Sequence, residues 1–273
     1  MADHVRDYVL ASALPRLECR MLWQKVLGVS RAWLIAHDTD PLSAEAQVAY
    51  QALEARRLAG EPMAYILGCR EFWGRDFQVS PEVLIPRPET ELLVELGLQL
   101  LGGIASPAVL DLGTGSGIVG VSIALDRPDA RVTATDKSMA ALSMAQLNAR
   151  ALGASLLFSP GNWYDTELGL ERYHLIVSNP PYIDKQDVHL GQGDLRFEPR
   201  VALTDEADGL GALRAIVQGA PRHLLPGAAL CVEHGWDQAT AVQHLFVSCG
   251  FIDVATKTDL AGIERLTWGR WPA

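Results

Sequence analysis

The chain has 273 residues, of which 49% are hydrophobic and 21% are charged, a balance typical of a globular protein with a substantial core. Its formal net charge of −10 results from 23 basic and 33 acidic residues. This charge disfavours a nucleic-acid-binding protein, because such proteins neutralise phosphates with clustered Lys and Arg.

The cysteines and the N-terminal segment predict where the protein works. Four scattered cysteines without a CxxC pair disfavour a disulfide framework or a structural zinc, so we expect reduced thiols and no metal. The start "MADHVRDYVL" is charged from its third residue, which is not typical of a signal peptide, and no apolar run reaches membrane-spanning length. We therefore expect a soluble, cytoplasmic protein without a membrane partner.

Two segments within residues 1–68 have helical periodicity. One runs from a predicted N-cap at Ser43 to Gly60, and the other ends at Gly28. Their apolar residues recur at helical spacing: Leu17, Met21, Leu22 and Val26 in the earlier segment, and Val48, Ala52, Leu53 and Leu58 in the later one. We predict a small helical bundle with these residues in its core, and a role in docking a protein partner as an addition to that reading.

The pattern changes after residue 68. Residues 69–88, "CREFWGRDFQVSPEVLIPRP", mix aromatic and β-branched residues with turn formers, which predicts a short hairpin linker. From residue 89 onward, strands alternate with helices and two strands end the chain. This alternation is typical of a doubly wound α/β domain with a mainly parallel sheet, here over residues 89–273.

A glycine-rich turn follows the first predicted strand of this α/β domain. In "VLDLGTGSGIVG", Gly113, Gly115 and Gly117 lie between an apolar strand and a helix, where glycine lets a ligand approach the backbone closely. Asp136 ends the next predicted strand, and a carboxylate at that position can accept hydrogen bonds from both ribose hydroxyls. The glycines alone are also compatible with a purely structural turn, but together with Asp136 they predict a nucleoside cofactor.

The spacing of the turn indicates which cofactor. Dinucleotide enzymes use Gly-x-Gly-x-x-Gly, whereas here Asp111 precedes the turn in Asp-x-Gly-x-Gly-x-Gly, which resembles the first motif of class I methyltransferases. Their cofactor, S-adenosylmethionine, carries an ammonium group that an acidic residue near the strand end suits. Trp163 follows the next strand, where an adenine-contacting side chain is expected, although an ordinary packed tryptophan is the alternative.

"LIVSNPPYID" carries the predicted chemistry. Prolines end strand pairing abruptly after Asn179, so an amide, two rigid residues and the ring of Tyr182 follow the strand. An amide nitrogen is a poor nucleophile and must be positioned, and the Asn179 side-chain oxygen and the Pro180 carbonyl can accept its two N–H groups. Tyr182 offers a flat face to a planar group. No strong general base is needed, and a merely structural strand-ending turn is the alternative.

The Asn-Pro-Pro-Tyr motif occurs in methyltransferases that act on adenine, cytosine or protein glutamine, so other residues decide the substrate. Residues 56–95, "RRLAGEPMAYILGCREFWGRDFQVSPEVLIPRPETELLVE", and residues 194–203, "DLRFEPRVAL", closely resemble the bacterial family of peptide chain release factor glutamine N5-methyltransferases. The resemblance covers nearly the whole chain. "IPRPETE", residues 85–91, favours this group over a sister group that acts on a ribosomal protein; whether the segment caps the domain or contacts ligand stays open.

The resemblance implies a class I methyltransferase domain with a mainly parallel seven-stranded sheet, a helical N-terminal domain and a hairpin linker. It implies methyl transfer from S-adenosylmethionine, leaving S-adenosylhomocysteine, to the glutamine of the Gly-Gly-Gln motif in release factors. By position, the cofactor residues are Gly113, Thr114, Gly115, Ser116, Gly117, Asp136, Trp163 and Asn179. The glutamine amide is held by Asn179, Pro180, Pro181 and Tyr182, with Asn179, Pro180 and Tyr182 as the catalytic residues. Asn162 departs from the family, which more often has an acidic residue before the tryptophan.

Three other functions are compatible with parts of the sequence. A DNA adenine methyltransferase would account for the Asn-Pro-Pro-Tyr motif, but it needs a target-recognition region and a basic cleft, and this acidic chain shows neither. A nicotinamide-dependent oxidoreductase would account for the glycine turn and leave the motif unexplained. A catalytically inactive release-factor-binding protein would not need Asn179.

Overall fold

The structure, a computed structural model, describes residues 4–166 and 171–273 and divides into two units, Met1–Cys69 and Arg70–Ala273. The first three residues of the predicted helical region lie outside the described residues. The division falls one residue after Gly68, whose positive φ of 77° ends the last helix of the first unit. Within the described part of the chain, no helix is both long and apolar enough to cross a membrane.

The first unit is helical, as predicted. Its helices are α1 (Val5–Ala11), α2 (Arg16–Leu27), α3 (Arg31–Ala36), α4 (Ala44–Leu58) and α5 (Met63–Leu67). Helix α4 begins after the predicted N-cap, because the Ser43 hydroxyl accepts a hydrogen bond from the Ala46 N–H at 3.2 Å. In the core, the rings of Trp23 and Tyr50 stack with centroids 4.3 Å apart, and both side chains are fully buried.

The face that the first unit buries differs from the predicted one. Leu17, Val48 and Leu58 are 58%, 66% and 55% exposed, so the prediction that they lie in the core was wrong. Helix α4 instead turns Tyr50 inward, with Leu53 packed beside it. The ring of Tyr50 buries more apolar area than a valine side chain does, and its stacking partner Trp23 lies on another helix. The spacing of apolar residues within α4 alone therefore did not reveal which face of the helix is buried.

The predicted hairpin consists of β1 (Cys69–Phe72) and β2 (Arg75–Gln78). Its two turn residues, Trp73 and Gly74, both have positive φ, which matches the twist of a two-residue hairpin. Phe72 and Phe77 are buried in a core cluster of the second unit. Asn148 accepts from the Gln78 N–H at 2.7 Å and donates to its carbonyl at 3.0 Å. The hairpin is therefore an integral part of the sheet-containing unit.

A mixed sheet organises the second unit. Its strands are β3 (Ala108–Leu112), β4 (Arg131–Asp136), β5 (Leu157–Asn162), β6 (Asp165–Thr166), β7 (Tyr173–Ser178), β8 (Leu224–Glu233), β9 (Ile252–Thr258) and β10 (Glu264–Arg270). Their order is β6-β5-β4-β3-β7-β8-β10-β9, in which β10 runs antiparallel to both neighbours and β3, β4, β5, β7 and β8 are parallel. The predicted α/β class is confirmed, and two-residue β6 adds a short edge strand to the seven that were expected.

Helices cover both faces of this sheet. They are α6 (Glu91–Leu100), α7 (Ile118–Asp126), α8 (Met139–Leu152), α9 (Arg200–Leu203), α10 (Gly211–Gly219) and α11 (Ala239–Ser248), with short 3₁₀ turns at Pro88–Thr90, Val188–Gly191, Gly193–Phe197 and Ala220–Arg222. Alternate strand residues face different core clusters: Leu175 and Val177 belong to one, and Ile176 to the other. Strand β3, buried at all five positions, therefore fixes the glycine turn at its carboxyl end in the centre of the sheet.

Candidate active site

A pocket opens in the second unit at the carboxyl ends of the parallel strands, where ligands of open α/β sheets bind. Among the predicted site residues, those that line it are Gly113, Thr114, Gly115, Ser116, Asp136, Trp163, Asn179 and Pro181. Three others, Gly117, Pro180 and Tyr182, do not line it. The topology thus brings together side chains that follow β3, β4, β5 and β7.

The glycine turn after β3 is held by main-chain hydrogen bonds. The Thr114 N–H donates to the Thr135 carbonyl at 2.9 Å, and the Gly117 N–H donates to the Thr114 carbonyl at 2.8 Å. Gly117 has a φ of 86°, and a Cβ there would lie 3.1 Å from the Cβ of Ala145 in α8. Both the backbone conformation and the packing against α8 require a glycine at position 117, so Gly117 has a structural role beside the pocket.

Asp136 connects the glycine turn to α8. One carboxylate oxygen accepts from the Gly115 N–H at 3.0 Å and the other from the Ser138 N–H at 2.8 Å. Burial raises the pKa of Asp136 above its usual value, while these two donors act in the opposite direction. Each oxygen has further lone pairs beside the pocket, so the carboxylate can accept hydrogen bonds from a diol.

Asp111 lies beneath the turn. Its Oδ2 accepts from the Thr114 hydroxyl at 2.7 Å and from the Gly120 N–H at 3.0 Å, and the residue is only 2% exposed. Burial raises its pKa to about 6, against the effect of these hydrogen bonds. Asp111 therefore ties the turn to the start of α7, and it also reaches the lining of the pocket.

Trp163 forms one wall of the pocket. It lies at the turn between β5 and β6 with a positive φ of 55°. A Cβ at Gly113 would lie 3.3 Å from its ring, so the ring covers the glycine turn directly. The tryptophan both packs against the protein and faces the pocket, so the two interpretations of the sequence are compatible. Asn162, the departure from the family pattern, lines the pocket next to it.

The Asn-Pro-Pro-Tyr segment leaves the sheet at the end of β7. The Asn179 Nδ2 group donates to the Thr90 hydroxyl oxygen at 3.1 Å. Within the described residues, no donor reaches the Pro180 carbonyl or the Asn179 side-chain oxygen. The Asn179 side-chain oxygen is therefore available to accept a hydrogen bond from a ligand in the pocket, whereas Pro180 is buried and does not line the pocket, so acceptance by its carbonyl stays a prediction.

Tyr182 is positioned differently from the expectation. Its hydroxyl donates to Oε1 of buried Glu233 at 3.2 Å, and its carbonyl accepts from Gln238 at 2.9 Å. Burial raises the pKa of the Tyr182 phenol well above its usual value. The expectation that Tyr182 offers a flat face to the planar substrate group stays a prediction, and it did not anticipate the hydrogen bond to Glu233, which lies more than two helices further along the chain.

Two segments that carry the family resemblance meet in the structure. The buried Glu198 carboxylate accepts from the Ile85 N–H at 3.0 Å and forms an ion pair with Arg87. Residues 85–91 themselves are not in the pocket lining; Glu82, Val83 and Leu84, just before them, are, together with Val201 and Ala202. Sequence reasoning missed these wall residues, although both stretches had been singled out by their resemblance.

Comparisons with known proteins agree with this architecture. Residues 7–68 match the PrmC N-terminal domain, and residues 89–194 match the methyltransferase small domain. Release factor glutamine methyltransferase of Bordetella pertussis is 58% identical, over 97% of this chain and 98% of that protein. The Burkholderia pseudomallei protein of the same name is 55% identical, over 97% and 95%. A solved methyltransferase from Pyrococcus furiosus shares the fold, with a TM-score of 0.54 at 16% identity over 82% of this chain and 100% of that one.

Proposed function

Because this chain belongs to the family of release factor glutamine methyltransferases, we propose that it methylates the side-chain amide nitrogen (N5) of the glutamine in the Gly-Gly-Gln motif of peptide chain release factors. The methyl donor is S-adenosylmethionine. The observation that carries the proposal is the position of Asn179, which lies in the lining of the glycine-turn pocket and leaves its side-chain oxygen without a protein donor in the described residues.

The residues of the pocket fit the cofactor. Its sulfonium supplies an electrophilic methyl group. Asp136 would accept hydrogen bonds from the ribose hydroxyls, Trp163 would contact the adenine, and the turn from Gly113 to Ser116 would allow close approach of the backbone. Asp111 contributes negative charge beneath the turn, on the side where an ammonium group is favoured.

Asn179 and Pro180 would position the nucleophile. Their two oxygens accept both N–H groups of the glutamine amide and hold its nitrogen with the lone pair directed at the methyl group. Both acceptors are uncharged, so they orient the amide without adding a carboxylate that would stabilise the sulfonium before transfer. The nitrogen loses its extra proton readily after methylation, which explains how transfer proceeds without a strong base. Pro180 is buried, and Pro181 after it restricts the ψ of Pro180 and thereby the direction of the Pro180 carbonyl.

The most direct test uses the acceptor itself. With methyl-labelled S-adenosylmethionine, the enzyme should label a purified release factor on one peptide, which mass spectrometry identifies as the peptide containing Gly-Gly-Gln. A release factor in which that glutamine is alanine should remain unlabelled, because no other amide would be presented to the site. Duplex DNA should also stay unlabelled. Methyl transfer to adenine, or full labelling of the alanine release factor, would contradict the proposal.

The first unit is proposed to bind the protein substrate in the cytoplasm, where release factors act. In the described residues, every residue in the lining of the active-site pocket belongs to Arg70–Ala273. Helices α1 to α5 are therefore free to serve recognition, and the proposed partner is a release factor with neither DNA nor a membrane involved.

A variant that begins at Arg70 tests this role. It keeps Phe72 and Phe77 in the core of the second unit, which a start near residue 81 would remove. We expect it to bind S-adenosylhomocysteine like the full chain by calorimetry, but to methylate release factor at least ~10-fold more slowly, because a second site of contact is lost. A short Gly-Gly-Gln peptide serves as the control substrate, and both proteins should methylate it equally. Undiminished activity on the release factor would rule out a docking role.

A further inference from the structure

Behind Asn179 lies a buried polar group that the proposed reaction does not yet use. Strands β7 and β8 are paired so that Ser178 lies opposite Val232, and the next residues along the two strands are Asn179 and Glu233. Glu233 is 1% exposed. A buried carboxylate is costly unless it is neutralised or hydrogen-bonded, so its partners indicate what it does.

Only one of the two carboxylate oxygens of Glu233 accepts a hydrogen bond from a described residue. Tyr182 donates to Oε1, whereas Oε2 is buried without a well-formed hydrogen bond from any described residue. Thr90 is fully buried, and its hydroxyl lies near enough to the Glu233 carboxylate to lower the pKa of that group. Thr90 is also the residue to which the Asn179 NH₂ group donates, at 3.1 Å. One hydroxyl therefore lies between the buried carboxylate and the proposed catalytic amide.

The chemistry of Glu233, Thr90 and Asn179 determines which of these groups donates hydrogen bonds and which accepts them. An ionised carboxylate can only accept hydrogen bonds, and a threonine hydroxyl has a single proton to donate. If that proton goes to Glu233, the Thr90 oxygen can only accept, so it must face the NH₂ end of Asn179. The two ends of an asparagine amide have nearly the same shape, and only their hydrogen-bond partners distinguish them.

We propose that Thr90 and Glu233 are positioning residues that orient the Asn179 amide with its oxygen toward the substrate. This inference rests on the proposed function of Asn179 as an acceptor for the glutamine NH₂ group. With the amide reversed, Asn179 would present donors to a substrate group that itself carries two donors, and the nucleophile would no longer be held. Glu233 thereby acts on the reaction through two intervening side chains without touching a ligand.

Protonation of Glu233 should weaken the preference of the Asn179 amide for the orientation with its oxygen toward the substrate. Burial and neighbouring Glu89 raise its pKa, and Thr90, Tyr182 and Arg265 lower it, with a result of about 7. A protonated Glu233 can donate to Thr90, whose own proton is then free to approach the Asn179 oxygen. Turnover should therefore rise as the pH increases through about 7, because ionised Glu233 fixes the favourable orientation.

Substitutions at Thr90 separate orientation from packing. Thr90→Val keeps the shape and removes the hydroxyl that accepts from Asn179 and that can donate to Glu233, so we expect turnover on release factor to fall at least ~10-fold while the Kd for S-adenosylhomocysteine changes less than about twofold. Thr90→Ser restores the hydroxyl and should recover most of the lost turnover. Thr133→Val, the same change at a buried threonine in β4 outside the pocket lining, is the matched control and should leave turnover unchanged.

A double-mutant cycle and a pH profile complete the test. In an Asn179→Ala background, Thr90→Val should have no further effect, because its target is gone. Glu233→Gln keeps the shape of the side chain, and it should reduce turnover and abolish the rise near pH 7. The inference is overturned if Thr90→Val matches the wild type, if Thr90→Ser is equally impaired, or if Glu233→Gln keeps the wild-type rate and profile. A fully active Asn179→Ala enzyme would instead overturn the proposed function itself.

Discussion

Asn179→Ala is expected to reduce turnover on release factor on the order of 10²-fold or more. The substitution removes one of the two acceptors proposed to hold the glutamine amide, so the nitrogen should rotate away from the line of transfer. The fold should tolerate it, because Asn179 is only half-buried and makes a single side-chain hydrogen bond, to Thr90, among the described residues. Single-turnover measurements with labelled cofactor give the rate, and calorimetry with S-adenosylhomocysteine shows whether the pocket is intact.

Two further variants sharpen this experiment. Asn179→Asp keeps an oxygen but places a negative charge beside the sulfonium, which stabilises the ground state and should also slow transfer. Asn162→Ala removes another asparagine side chain from the pocket lining and is the matched control, which should affect turnover far less. An Asn179→Ala enzyme as fast as the wild type would remove Asn179 from the mechanism.

Asp136→Ala should weaken the binding of S-adenosylmethionine by about 1.5–3 kcal/mol, which corresponds to roughly 10- to 150-fold in Kd. Part of this loss comes from the ribose hydroxyls, which lose a charged acceptor. The rest comes from the turn, because the Gly115 and Ser138 N–H groups lose their side-chain acceptor at the same time. Isothermal calorimetry measures the affinity of the wild type and of Asp136→Ala for S-adenosylmethionine.

Asp136→Asn distinguishes these two contributions. It keeps one oxygen for a backbone N–H and removes the charge, so its affinity should lie between those of the wild type and Asp136→Ala. NAD should bind to none of the three proteins, since the turn lacks the dinucleotide spacing. Unchanged affinity for S-adenosylmethionine in a folded Asp136→Ala protein would argue that the ribose lies elsewhere.

Local patterns were sufficient to predict the sheet and the position of its turn. Strands such as Ala108–Leu112 are buried on both faces, so they appear in the sequence as short apolar runs, and Gly113 marks the end of one of them. Asn179 was recognisable because two prolines after a buried strand have no role in strand pairing. The roles of these residues toward ligands stay predictions.

What the sequence did not reveal depends on contacts between distant segments. Glu198 joins a stretch more than a hundred residues before it, and Glu233 on β8 accepts from Tyr182 because the segment that carries Tyr182 follows β7, the neighbour of β8. Such contacts leave no periodicity in either segment. Leu17, Val48 and Leu58 were mispredicted as core residues for a related reason, since α4 turns Tyr50 inward to reach a ring on another helix.

The hairpin that shares its core with the sheet also has a consequence for how such chains diversify. The division between the two units falls after Cys69, the first residue of the hairpin, so an exchange of the helical unit between relatives would leave the aromatic pair Phe72 and Phe77 covered. A crossover a few residues later would strip those rings from the catalytic half. If the first unit binds the substrate as proposed, recombination near Gly68 would give an unchanged catalytic unit a new recognition unit, and the two units could evolve at different rates.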